Sequence, residues 1–261
     1  MKEEIVFLNN KAKNYKLFMH LYLAERNDTV CIFLNPILDE KKRVQRFQID
    51  LSREMSKRNN TVVRFDYYAT GDSEGEVYQF SFENIMSDIN FIIDYSKRRF
   101  RIKLITLLGI RLGADLAMKI SDIRNDIQKL ILIEPILDGK RYLLEQRTRR
   151  KAFFRLNNIT NPIEFYKFKE KSYEDFQGFL IQFEVVAYIA ELNSIASITN
   201  KSDGDIYILS NSSAKKQMLT NNKVLQKNNV LFSLEKHSDF WSSLEMTDTT
   251  NLVRKVLNLL T

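Results

Sequence analysis

Lys103 to Ile120 reads Lys-Leu-Ile-Thr-Leu-Leu-Gly-Ile-Arg-Leu-Gly-Ala-Asp-Leu-Ala-Met-Lys-Ile, and its reading decides the fold. Leu104 to Leu108 is a short apolar run without helical period, the pattern of a buried strand. Gly109-Ile110-Arg111-Leu112-Gly113 follows at once. From Ala114 to Ile120 a helix resumes, with Leu112, Leu116 and Ala117 able to share one face. A strand that turns into a helix over Gly-x-Xaa-x-Gly turns so sharply that a Cβ at either flank would strike neighbouring backbone. The central residue is thrust up at the carboxyl end of the strand. Here it is Arg111, and a guanidinium cannot attack a carbonyl.

Outward from this corner, strand and helix patterns alternate. Ile5 to Asn9 and Lys16 to Ala24 are β-rich and joined by a polar turn, so they predict an antiparallel hairpin. His20 lies inside it, where a structural role is expected. Val30 to Leu34 is a continuous apolar run, hence a buried parallel strand. It ends in Asn35-Pro36-Ile37-Leu38-Asp39-Glu40, before an amphipathic helix over Lys41 to Arg58. Thr61 to Tyr68 is the next strand and runs into Ala69-Thr70-Gly71-Asp72-Ser73-Glu74-Gly75, a dense turn. Phe82 to Phe100 reads as a helix.

After the Arg111 corner, Leu130 to Glu134 is a strand closed by Pro135 and Asp138-Gly139. From Lys140 to Thr199 the strand rhythm stops. Tyr142 to Phe154 is a basic helix carrying Arg147, Arg149, Arg150 and Lys151, expected to present a solvated face. Asn157 to Lys171 is polar and mixed, and Phe176 to Ile198 reads as helix. Strands return at Asp205 to Leu209 and Val230 to Glu235, with a helix over Ala214 to Gln226 between them. His237, Phe240 and Trp241 come next, then a helix over Thr247 to Leu260. Strands and helices alternating at this pitch predict an α/β fold: a mostly parallel sheet of about eight strands with helices on both faces.

Composition bounds the class. The 261 residues are 44% hydrophobic, enough for a full core, and seven Gly with three Pro leave little linker. No apolar run approaches the ~20 residues of a membrane span. The start, Met-Lys-Glu-Glu-Ile-Val, carries two acids and does not read as a signal peptide. One cysteine, Cys31, cannot form an intramolecular disulfide. The cytoplasm is therefore the expected compartment. A net charge of +7 is spread along the chain and brings no nucleic-acid motif with it. No metal and no cofactor are expected.

Several motifs recur in one order. They are Asn35-Pro36 with Glu40 and Arg46, Arg64-Phe65-Asp66 with Gly71-Asp72-Ser73-Glu74-Gly75, Gly109 to Ala114, Glu134-Pro135 with Asp138-Gly139, Gly178-Phe179, and Phe240-Trp241. On these residues the chain resembles the α/β-hydrolases of the serine-aminopeptidase-like group. Within that group it is most similar to hydrolase-like proteins associated with exosortase systems. The resemblance implies an α/β-hydrolase core over 1–139 and 200–261 with a helical lid over 140–199. It makes the Arg111 corner a nucleophile elbow without its nucleophile, as in some relatives of the group. The loop Ser210-Asn211-Ser212-Ser213-Ala214 holds no acid where the triad needs one, and His237 alone keeps its place.

The implied site joins His237, as the catalytic candidate, to a ligand-binding set. That set is Arg111, Ile37, Leu112, Asp72, Ser73, Glu134, Asp138 and Trp241. Arg111 has two readings. One is a structural salt bridge to Asp66, Asp72, Glu134 or Asp138. The other is an anion site shared with the helix amino end and the amides of Ile37 and Leu112. Three function classes follow: a non-hydrolytic binder of an anionic or acyl ligand, a non-standard esterase, thioesterase or acyltransferase using His237, or a structural partner in a biosynthetic or secretion complex.

Overall fold

A computed structural model of the chain describes residues 2–26, 29–160, 162–192, 204–211, 230–234, 239–243 and 247–260. Its first two strands, β1 (Lys2–Asn10) and β2 (Tyr15–Leu23), form the expected antiparallel hairpin. Next come β3 (Thr29–Leu34), helix α1 (Leu38–Lys57), β4 (Asn60–Phe65) and helix α2 (Phe82–Phe100). The corner follows as β5 (Ile105–Ile110) and helix α3 (Leu112–Ile123), then β6 (Ile127–Ile133). Beyond an intervening segment lie β10 (Asp205–Ser210), β11 (Val230–Leu234) and helix α6 (Thr250–Asn258).

The eight strands form one sheet in the order β1-β2-β4-β3-β5-β6-β10-β11. Pairing is antiparallel only at β1–β2 and β2–β4, and parallel from β4 to β11. Period-two alternation sends each strand's residues to two cores. Ile32, Leu34, Val63 and Leu107 face α2 and α3, while Cys31, Phe33, Val62 and Leu108 face α1 and α6. Cys31 is free and wholly buried, and burial pushes its thiol pKa up. Among the described residues, no helix is long and apolar enough to cross a membrane.

The segment between β6 and β10 departs from expectation. Helix α4 (Gly139–Leu156) forms, with Asp138 accepting a cap hydrogen bond from the Arg141 amide at 2.9 Å. The continuous helix expected over Phe176 to Ile198 does not. Instead β7 (Phe165–Phe168), β8 (Lys171–Phe176) and β9 (Phe179–Gln182) make a second, antiparallel sheet, and helix α5 spans only Phe183–Ala190. Both turns of this sheet have two residues, Lys169-Glu170 and Gln177-Gly178, all at positive φ. That backbone matches the twist of a tight hairpin.

Two members of the basic run on α4 turn onto acids, while Lys151 is exposed as expected. Arg147 forks onto Glu174 at 2.8 and 2.7 Å. Arg150 is buried between Glu174 and Glu164, at 3.1 and 3.0 Å. The helix expected over Ala214 to Gln226 lies outside the described residues.

Candidate functional site

The corner between β5 and α3 is built as its glycines require. A Cβ on Gly109 would lie 2.2 Å from the Gly113 carbonyl oxygen, and one on Gly113 would lie 2.0 Å from that of Leu34. Arg111 sits between them at φ 55°, ψ −121°, a conformation that L residues rarely adopt. Such a residue stores on the order of 1–3 kcal/mol unless its surroundings hold it. Here its amide donates to the Ile133 carbonyl at 3.0 Å, and its carbonyl accepts from the Ala114 amide at 2.9 Å.

The Arg111 side chain does not open to solvent: the residue is 6% exposed. Its Nε donates to Glu40 Oε1 at 3.3 Å, and its Nη1 to the Glu134 carbonyl at 3.3 Å. The guanidinium lies 5.3 Å from the ring centroids of both Tyr142 and Trp241. Glu40 is 1% exposed. It also accepts from Tyr142 Oη at 3.4 Å and from Gln146 Nε2 at 3.3 Å. Burial raises the Glu40 carboxyl pKa, and the Arg111 charge opposes it. Burial likewise works against the Arg111 charge, but Glu40, Tyr142 and Glu134 outweigh it and its pKa rises. A guanidinium does not give up its proton in a protein, so the charge balance of this box rests on Glu40.

None of the four expected acids pairs with Arg111. Asp66 takes Lys41 Nζ at 2.6 Å. Asp72 is exposed, and its amide donates to Asp66 Oδ2 at 3.0 Å. Asp138 is exposed and serves as the cap of α4. Glu134 accepts from Arg111 through its carbonyl and acts on it by charge, without an ion pair, while its carboxylate accepts from Ser210 Oγ at 3.1 Å and the Asn211 amide at 2.5 Å. The partner is Glu40 because α1 begins beside the corner, and Glu40 sits in its first turn. Sequence reading took Glu40 only as part of a recurring motif. An acid there also suits the helix dipole, which hid its second use.

The other expected site residues separate into two groups. Leu112 and Trp241 pack at the corner, Leu112 in the core and Trp241 against Phe240 and Arg111. Ile37, Asp72 and Ser73 instead line a neighbouring cleft of about 580 Å³, which Arg111 does not reach. The cleft runs between α1, the 66–75 loop and the β8–β9 turn, with Leu38, Val77, Phe80 and Phe179 among its apolar walls. The Ser73 hydroxyl is committed within it: Oγ donates to the Asp66 carbonyl at 2.6 Å and accepts from the Phe18 amide at 2.9 Å. His237, Ser212 and Ser213 lie outside the described residues.

No family model matches the sequence, and no curated protein matches it. Solved structures do match its fold. Est1E from Butyrivibrio proteoclasticus, with ferulic acid bound, aligns over 98% of this chain and 97% of its own, at 12% identity and a TM-score of 0.64. This chain has the α/β-hydrolase fold. The Pyrococcus furiosus esterase Pf2001 aligns over 99% of this chain and 90% of its own, at 14% identity and a TM-score of 0.65. The α/β-hydrolase GrgF from Penicillium sp. sh18 aligns over 100% and 98%, at 13% identity and a TM-score of 0.63. Identities this low carry the fold alone. In the hydrolase fold, the residue at the corner where β5 meets α3 stands at the top of the sheet.

Proposed function

We propose that this protein is a non-hydrolytic member of the α/β-hydrolase fold that binds a small anionic or acyl ligand in the cleft beside the corner. Arg111 stands where an active enzyme of this fold carries its nucleophile. The observation that carries the reading is the Arg111–Glu40 pair. It fills the elbow with a buried, charge-balanced side chain under Tyr142 and Trp241. A substrate carbonyl placed there would have to displace the pair, at a cost of several kcal/mol for uncovering buried charge.

The anion-site reading of Arg111 is set aside for the same reason, since its charge is already answered by Glu40. The cleft takes over the ligand role, with Ile37, Asp72 and Ser73 on its wall and about 580 Å³ of space. That volume lies in the range of small-molecule sites. The α4–α5 segment acts as the lid, and the β8–β9 turn brings Phe179 over the cleft.

The esterase alternative draws on Pf2001, which is an esterase, and on Est1E, which holds ferulic acid. It needs an activated hydroxyl. Ser73, the nearest candidate, already has both its donor and acceptor roles filled by backbone. The test is a pair of measurements on the purified protein: turnover of aryl esters, and thermal stabilisation by a panel of carboxylates, phosphates and neutral amphiphiles. Stabilisation without turnover supports the reading, and turnover overturns it.

A further inference from the structure

The cleft has a polar end that the elbow does not explain. β2 and β4 pair so that His20 stands directly opposite Arg64, and both residues line the cleft on the face covered by α1. Arg64 Nη1 donates to Tyr22 Oη at 3.1 Å, and Nη2 reaches Gln48 Oε1 at 3.4 Å. Its Nε is enclosed and has no hydrogen-bond partner. Arg111, Arg124, Arg147 and Arg150 each meet a carboxylate. Among the described residues, no carboxylate lies within the 4.0 Å ion-pair distance of Arg64. A half-buried guanidinium paired only with neutral oxygens is under-compensated, and two of its five N–H groups account for both bonds it makes.

The surrounding charges leave this cation standing. The His20 ring turns to Glu3 at 3.1 Å and to Tyr22 Oη at 3.3 Å. Burial lowers its pKa and Arg64 lowers it further, while Glu3 opposes both. Lys41 is neutralised by Asp66, whereas Lys42 lies 5.3 Å from the Phe179 ring centroid. The remainder of the cleft joins a polar side, with Asn35, Gln45, Thr70, Asp72 and Ser73, to an apolar wall of Leu38, Val77, Phe80 and Phe179.

We propose that Arg64 is the anchor for the oxyanion headgroup of an amphiphile whose apolar part lies along the Leu38–Phe80–Phe179 wall. The proposal rests on the reading that the cleft, and not the elbow, takes the ligand. A planar carboxylate or a phosphate would accept from the unused Nη hydrogens of the guanidinium in charge-assisted bonds. The apolar tail gains by leaving water.

The test compares decanoate, decyl phosphate and decanol, by calorimetry, on the wild type, Arg64→Gln, Arg64→Lys and the cleft-filling Val77→Trp. The wild type should bind an acid probe roughly ten-fold or more tighter than the alcohol, the scale of one charge-assisted bond. Arg64→Gln should erase that preference and leave decanol binding unchanged. Arg64→Lys should keep part of it. Val77→Trp should weaken all three probes. A preference for decyl phosphate over decanoate would select a phosphate headgroup, and the reverse a carboxylate. Either supports the anchor. Equal acid binding by Arg64→Gln and wild type would overturn the anchor and leave the cleft reading standing. Failure of every probe on the wild type, or indifference to Val77→Trp, would overturn both.

Discussion

Glu40, in the first turn of α1, and Arg111, at the corner between β5 and α3, lie 71 residues apart in sequence and meet at 3.3 Å inside the protein. Each is the other's charge partner at a depth where neither could stand alone. Glu40→Gln should therefore destabilise the fold by about 3–5 kcal/mol, the cost of leaving a buried guanidinium unanswered. Arg111→Met should cost a similar amount through the stranded carboxylate. The double variant should lose clearly less than the two single losses combined, because residues in one pair do not act additively. Urea unfolding of the four proteins checks this, and additive losses would show that the pair carries no coupling.

Gly113 and Gly178 make a contrast. Gly113→Ala would set a Cβ 2.0 Å from the Leu34 carbonyl oxygen, which β3 holds in the centre of the sheet. The expected loss exceeds about 3 kcal/mol, in the range reserved for core disruption. Gly178→Ala meets nothing within 4 Å, and only its φ of +92° opposes it. Its loss should stay near ~1–2 kcal/mol, the cost of a left-handed backbone. Chemical denaturation of both variants ranks them, and a reversed order would contradict the packing at the corner.

A pH signature comes from Asp88, which is wholly buried on α2. It accepts from Tyr15 Oη at 2.6 Å and from the Tyr68 amide at 2.7 Å. Burial pushes its carboxyl up to about 6 against those hydrogen bonds. The folded state thus holds this proton more tightly than the unfolded chain, whose aspartates titrate near ~3.9. The contribution of Asp88 is most favourable below about pH 4 and is lost as pH rises through about 6, by ~3 kcal/mol in all. Wild-type stability minus that of Asp88→Asn should fall across this window. A flat difference in urea melts between about pH 4 and 7 would contradict the assignment.

Much of this architecture was legible. The Gly109 and Gly113 pair announced the strand–turn–helix corner because no other residue fits there, and Phe82–Phe100 matched its helix at both ends, with Ser81 as cap. The hairpin of β7 and β8 was missed because its turn, Lys169-Glu170, adopts positive φ without Gly or Asn to signal it. The Glu40 partner was missed for a different reason. Periodicity reports which face a residue takes, not which distant residue it meets there. The cleft escaped notice because its walls come from α1, two strands, one loop and a distant hairpin turn.

Arg111→Ser should not yield an efficient esterase. The serine would gain a place at the corner but leave Glu40 buried without its cation. The Glu134 carboxylate is engaged by Ser210 and the Asn211 amide. No orienting acid for His237 is therefore supplied by the substitution. Adding Ser213→Asp should raise activity only to trace level. Steady-state ester assays on both variants check this, and efficient turnover by the single variant would show that an acid is already in place.

The most direct test is aryl-ester turnover by the wild-type protein beside His237→Ala at equal concentration. On the proposed reading, Arg111 closes the elbow and leaves it without a hydroxyl to form an acyl intermediate. The account predicts no burst and a rate equal to that of buffer for both proteins. A wild-type rate above buffer that His237→Ala abolishes would contradict it.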